Sequence, residues 1–203
     1  KRIWLLHQFD PGSPVWNRPL AVRLVGELDR HALARAVNEI VRRHEVLRTV
    51  FEVEDGEPRQ TVLPPAQLPL EFEDLRGLAA SEREVRAVRL AGEESLRTFD
   101  LTRGPVLRMK LLQLDVRDHV LLVLMHRIVF DGWSETVFLD ELKVLYRAFA
   151  NGQVSPLPEP AIQYADFAVW QEQRWGEGVF DRQVQYWRKQ LAGAPARLAL
   201  PAD

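Results

Sequence analysis

Apolar positions recur along this chain in two periods, and the switches between them lay out its elements. Leu20 to Leu28 alternates apolar and polar residues, as a half-buried strand does. Asp29 is a candidate N-cap for a helix that puts Leu33, Val37, Ile40 and Val41 on one face and ends near Arg43-His44-Glu45. Arg48 to Val53 is rich in β-branched and aromatic residues and predicts a strand. Asp55-Gly56 predicts a hairpin turn, with Arg59 to Leu63 returning. Pro64, Pro65 and Pro69 mark a loop before a short strand at Leu70 to Phe72. Ser81 followed by Glu84 has the spacing of a capping box and opens a helix to about Leu96. Leu107, Met109 and Leu111 form a half-buried strand; Asp115 to Asp118 turns it into an apolar central strand, His119 to Met125. Ser134 caps a helix carrying Phe138, Leu142, Leu145 and Phe149, which Asn151-Gly152 ends. After a Pro-rich link, Pro156 to Pro160, two further helices run from Tyr164 to Trp175 and from Phe180 to Leu191. At the front, Ile3 to Leu6 is a short apolar opening before a Pro/Gly loop, Asp10 to Pro14. Strands and helices mix without strict alternation. The pattern predicts an α/β fold with a mixed, partly antiparallel sheet flanked by helices.

Composition narrows the function classes. With 203 residues and 46% hydrophobic content, the chain can bury a real core. A net charge of −2 gives no reason to expect nucleic acid or a membrane surface as partner. The absence of cysteine excludes disulfides and thiolate chemistry. No apolar run approaches the ~18–20 residues of a bilayer span, and no signal-peptide pattern opens the chain, so the cytoplasm is the expected location. His7, His31 and His119 have no metal-like spacing and read as surface or turn residues, and the charged run Glu82 to Arg89 as a solvated helix face.

The chemistry concentrates between the central strand and the helix after it, in Met125-His126-Arg127-Ile128-Val129-Phe130-Asp131-Gly132-Trp133-Ser134. Titratable residues at such a junction are where α/β proteins often place a site. Read locally, Asp131-Gly132 is a turn pair and Ser134 a helix cap rather than a nucleophile, since no base stands beside it in sequence.

Four segments carry a wider resemblance: Lys1-Arg2-Ile3-Trp4-Leu5-Leu6; Arg43-His44-Glu45-Val46-Leu47-Arg48-Thr49-Val50-Phe51; the His126 segment; and Tyr164-Ala165-Asp166-Phe167-Ala168-Val169-Trp170. In content and order they resemble the opening R-L-W-x-L, RHExLRTxF, HHxxxDG and YxDFAVW motifs of nonribosomal peptide synthetase condensation domains. Arg127 stands where that family has its second, catalytic His. The wording after Asp131-Gly132 is most similar to the subtype that joins two L-configured residues.

The resemblance implies one lobe, folded like a chloramphenicol acetyltransferase subunit, of a two-lobed domain. Residues 1–194 would be its N-terminal lobe and 195–203 the start of the link to a C-terminal lobe. The implied reaction is aminolysis of a thioester: a donor acyl group and an L-aminoacyl acceptor arrive on two peptidyl carrier proteins and meet in a tunnel between the lobes. The domain itself would hold no cofactor, phosphopantetheine being carried by the partners, and an adenylation domain would be its neighbour. An imidazole there accepts a proton or positions the amine; a guanidinium stays protonated and offers donors only. This copy is therefore expected to be impaired.

The resemblance further implies that His126 supports structure and that Asp131 pairs with Arg43, with Arg48 as second choice. Gly132 would leave room for the pantetheine arm, Trp133 and Ser134 would line the tunnel, and Tyr164 and Trp170 would fill core. The alternative is a non-catalytic, condensation-like domain that recruits a tailoring oxygenase. Those domains share His-Arg but usually continue with two acidic residues, whereas Asp131-Gly132 keeps the condensation form. An epimerization domain or a free-standing acyltransferase would also need the missing His.

Overall fold

The apolar run ahead of His126 becomes an interior strand with both faces covered. A computed structural model describes residues 2–195, so beyond Pro195 the expected onward link lies outside the described residues. Contacts divide the chain into two units, the first ending at Gln163 and the second beginning at Tyr164. The first runs α1 (Arg2–Phe9), β1 (Asn17–Val25), α2 (Arg30–Arg43), β2 (Thr49–Glu54), β3 (Glu57–Val62), β4 (Leu70–Asp74), α3 (Ala80–Ser95), β5 (Leu107–Asp115), β6 (Asp118–His126) and α4 (Gly132–Ala150).

The main sheet has the order β1-β6-β5-β4. β1 and β5 flank β6 antiparallel, while β4 lies parallel to β5 because α3 carries the chain across between them. The sheet is thus mixed and flanked by helices, as its pattern predicts. One face packs under α2 and α4: Leu111, Leu121 and Val123 meet Leu33, Val37, Ile40, Phe138, Leu142 and Leu145. The other packs under α3, where Leu112, Leu114 and Leu122 meet Ala87 and Leu90. β2 and β3 form a separate hairpin whose turn needs positive φ at both central residues, Asp55 (53°) and Gly56 (80°).

Several boundaries differ from the pattern, each for a tertiary reason. The apolar opening is a helix, α1, because Trp4 and His7 face inward together. β1 starts at Asn17 rather than Leu20, since pairing continues to Asn17↔His126; as an edge strand it tolerates Pro19. α3 begins at Ala80 without a side-chain cap, so Ser81 is not its cap. Arg83 secures that end instead, donating to the carbonyls of Arg76, Leu78 and Leu114.

The second unit, from Tyr164 on, contains α5 (Tyr164–Gly176) and α6 (Asp181–Gln190). Tyr164 and Trp170 do not fill core as their motif implies: both are half exposed, and they stack through Phe167 instead.

Candidate active site

The motif loop is built by alternation of inward and outward residues. His126 ends β6 and is 1% exposed. Its amide donates to the Val106 carbonyl at 3.1 Å, and its own carbonyl accepts from Val129 at 3.1 Å. Its ring Nδ1 accepts from the Ile128 amide at 3.1 Å, which places the ring proton on Nε2. One residue thus holds the turn by both ring and carbonyl, the structural role its motif implies. Val129 and Phe130 are buried beyond it, with Phe130 edge-on to Phe138 at 6.4 Å. Arg127 lies between these anchors, so its side chain turns outward. Its amide is tied to the Trp16 carbonyl at 2.8 Å, while its exposed guanidinium has no side-chain partner among the described residues.

Burial, and then the neighbouring His7, pushes the His126 imidazole down to about 4. The histidine at position 126 is therefore neutral near pH 7 and closed to solvent. His7 is no surface or turn residue: it is 4% exposed and meets His126 edge-to-face at 5.1 Å. Burial also lowers its titration, against an opposing pull from Asp10 and Asp100. His119 is buried as well, on β6, contrary to its turn assignment. In the unfolded chain, imidazoles near 6.5 bind protons that the native ones refuse. Stability is complete above pH ~6.5 and falls as pH drops from ~6.5 towards ~4. Urea unfolding at stepped pH should show that loss, and His126→Asn should flatten it. A stability profile level over this range in the wild type would contradict the burial.

Asp131 is the N-cap of α4. Its Oδ1 accepts from the Ser134 amide at 2.9 Å and the Ser134 hydroxyl at 2.7 Å, while Ser134 Oγ accepts from the Asp131 amide at 3.3 Å. This is a capping box with Asp131 as cap and Ser134 three positions inside, the reverse of the assignment of Ser134 as cap. The backbone and hydroxyl donors of Ser134 hold the Asp131 carboxyl below its ordinary value. Asp131→Ala should cost about 1 kcal/mol of stability by urea unfolding, the worth of a typical cap; an unchanged midpoint would deny it that role.

The expected pairing of Asp131 with Arg43, or with Arg48, is not what forms. Arg43, 4% exposed, donates to the carbonyls of Leu157 (3.3 Å) and Pro158 (2.7 Å) and lies 3.5 Å from the Glu141 carboxylate on α4. His44 Nε2 also meets Glu141, at 2.8 Å. Arg48 bonds Glu45 at 3.1 Å and the Leu63 carbonyl. The RHEVLRT segment is thus a buttress between α2, α4 and the Pro-rich stretch. Asp131 has its carboxylate engaged at the N-cap of α4, while Arg43 meets Glu141 farther along the same helix, its Nε 3.5 Å from that carboxylate without a hydrogen bond. Glu141 was legible in principle: it sits on the apolar stripe Phe138, Leu142, Leu145, where an acidic residue signals a buried partner.

Trp133 is 80% exposed on the first turn of α4. Five positions from Phe138, it stands about 140° around the helix from that core residue. Gly132 is exposed beside it, and Ser134 is spent on the cap. Arg18 on β1 meets Glu135 at 2.7 Å and ties the edge strand to the start of α4. The remaining imidazoles are accounted for: His44 on Glu141, His31 on the exposed start of α2. Among the described residues, no solvent-facing imidazole stands in the motif.

The Condensation domain family matches residues 1–203. The chain is 45% identical over 203 residues to a linear gramicidin synthase protein of Brevibacillus parabrevis, covering 100% of this chain and 4% of that protein. It superposes on SgcC5 from Streptomyces globisporus with a TM-score of 0.77 at 36% identity, over 91% of this chain and 41% of that one. On the X-domain from teicoplanin biosynthesis the TM-score is 0.84 at 32% identity, over 100% and 44%. The chain thus spans under half of these solved chains and a few per cent of the gramicidin synthase protein. With the mixed sheet, the four ordered motifs and these likenesses in place, the chain belongs to the condensation-domain family.

Proposed function

We propose that this chain is the N-terminal lobe of a nonribosomal peptide synthetase condensation domain, and that this copy is catalytically impaired. The intact domain would join a carrier-bound donor thioester to a carrier-bound L-aminoacyl acceptor. Its partners would be two peptidyl carrier proteins, each bringing its own phosphopantetheine arm, together with a C-terminal lobe and an adjacent adenylation domain. One observation carries the impairment: position 127 faces outward from the motif, and a guanidinium stands there while every imidazole of the lobe is buried, bonded or elsewhere. The amine must be neutral to attack the thioester carbonyl and must shed a proton as the amide forms and the thiolate leaves, and a guanidinium accepts none. Asp131, Gly132 and Ser134 shape the loop and do not replace the base. The test is single-turnover condensation by the two-lobed domain with both carriers loaded; amide formation at the rate of His-His relatives would refute the reading.

A second reading is recruitment of a tailoring oxygenase. It is favoured by the likeness to the teicoplanin X-domain, which has also been solved as a complex with OxyB. Asp131-Gly132 argues for the first reading. Oxygenase capture by the two-lobed domain, with no product from either the native form or its Arg127→His variant, would favour the second.

A further inference from the structure

The α3 face of the sheet is only partly covered. Two cross-strand rows line a gap beside the end of α3, Pro19–Leu124–Arg108 and Ala21–Leu122–Lys110, with Leu122 and Leu124 buried at its floor. The small side chains of Ala21 on β1 and of Ala91 and Gly92 on α3 leave space unfilled between helix and edge strand, a groove of about 380 Å³. That volume is at the small end of ligand pockets. Asn17 ties the edge strand to the end of α3, donating to the Ser95 and Arg97 carbonyls.

The charge at the groove's end is unbalanced. Lys110 meets Glu94 at 2.6 Å and Glu71 at 3.3 Å, and Arg97 meets the same two carboxylates at 2.9 and 3.5 Å. Those two carboxylates are engaged, and Arg108 pairs with neither. It donates one hydrogen bond to the Thr98 carbonyl at 2.7 Å and lies 4.4 Å over the Phe99 ring. Its Nη1 is buried without a partner among the described residues. Burial, then Arg97, pushes this guanidinium below its ordinary value, with Glu94 and Glu71 pulling the other way. A desolvated donor of this kind gains most from a carboxylate, which takes a guanidinium in bidentate form.

We propose that the groove under α3 binds a small amphiphile, its carboxylate on Arg108 and its apolar tail across Pro19, Ala21, Leu122 and Leu124. Arg108 reaches the motif only through Phe99, whose ring meets His126 edge-on at 6.0 Å, and the proposal does not rest on the peptide-bond reading.

Isothermal titration of the full-length protein with octanoate tests it, with octanamide as the neutral control. Octanoate should bind and octanamide bind at least about tenfold more weakly, the worth of one charge-assisted contact. Arg108→Gln should weaken octanoate by about the same factor. Gly92→Leu should weaken binding while raising the melting temperature: Gly92 lines the groove, a Cβ there meets nothing within 4 Å, and Leu is the better helix former. Equal affinity for octanoate and octanamide, octanoate binding untouched by Gly92→Leu, or no binding because another segment covers the groove would each overturn the proposal.

Discussion

Replacing Arg127 by His should raise single-turnover amide formation by the two-lobed domain at least about 10²-fold, the lower end of what a positioned general base contributes. In barrier terms that is about 2.7 kcal/mol. The substitution is clean, because the Arg127 side chain is exposed and serves no partner among the described residues; surface changes of this kind shift stability by no more than about 0.5 kcal/mol. The backbone that aims position 127 outward stays in place, held by the Trp16 carbonyl and by the buried ring of His126. Rapid-quench measurement with both carriers loaded gives the comparison. The His form should gain rate as pH rises through about 6.5, as the imidazole becomes able to accept a proton, and the Arg form should lack that step. Equal rates for both would mean that position 127 is not the base and that amide formation rests on holding two tethered substrates together.

The second large effect is structural. Arg43→Met should destabilise the lobe by about 3 kcal/mol, because it strips two carbonyls of a buried donor and leaves Glu141 with His44 alone. A double-mutant cycle identifies the partner. Arg43→Met and Glu141→Gln should be non-additive by about 1 kcal/mol, whereas Arg43→Met and Asp131→Asn should add within about 0.5 kcal/mol. Urea unfolding gives all four corners of each cycle. Strong coupling to Asp131 with none to Glu141 would return the pairing to the one the motif implies.

These two residues also mark how far sequence reaches. Arg127 needed only the spelling of a motif: the resemblance implies a proton acceptor at the position where this chain has a residue that cannot take one. Arg43 was legible as a structural residue, since a cation in a conspicuous RHExLRT segment after an amphipathic helix has to be satisfied. Its partner was not, because choosing between Asp131 and Glu141 depends on how α2 and α4 lie against each other, and both acids are far from it in sequence. The helix caps divide in the same way. Asp29 caps α2 as its local pattern predicts, with its Oδ1 accepting from the His31 and Ala32 amides. At α4 the residues of the box were visible, but which of Asp131 and Ser134 is the cap turned on where Phe130 anchors the chain.

Periodicity alone carried the mixed α/β class and the run of strands and helices, because it acts over a few positions and survives without knowledge of packing. The four motifs, by resemblance, carried the family and drew attention to position 127. The burial of His7 and His119, the approach of Arg43 to Glu141 and the unmet donor of Arg108 beside the groove emerge only from the packed fold. Burial and ion pairing depend on which distant segments meet. An imidazole or guanidinium carries no local sign of whether its neighbours will be water, a ring or a carboxylate.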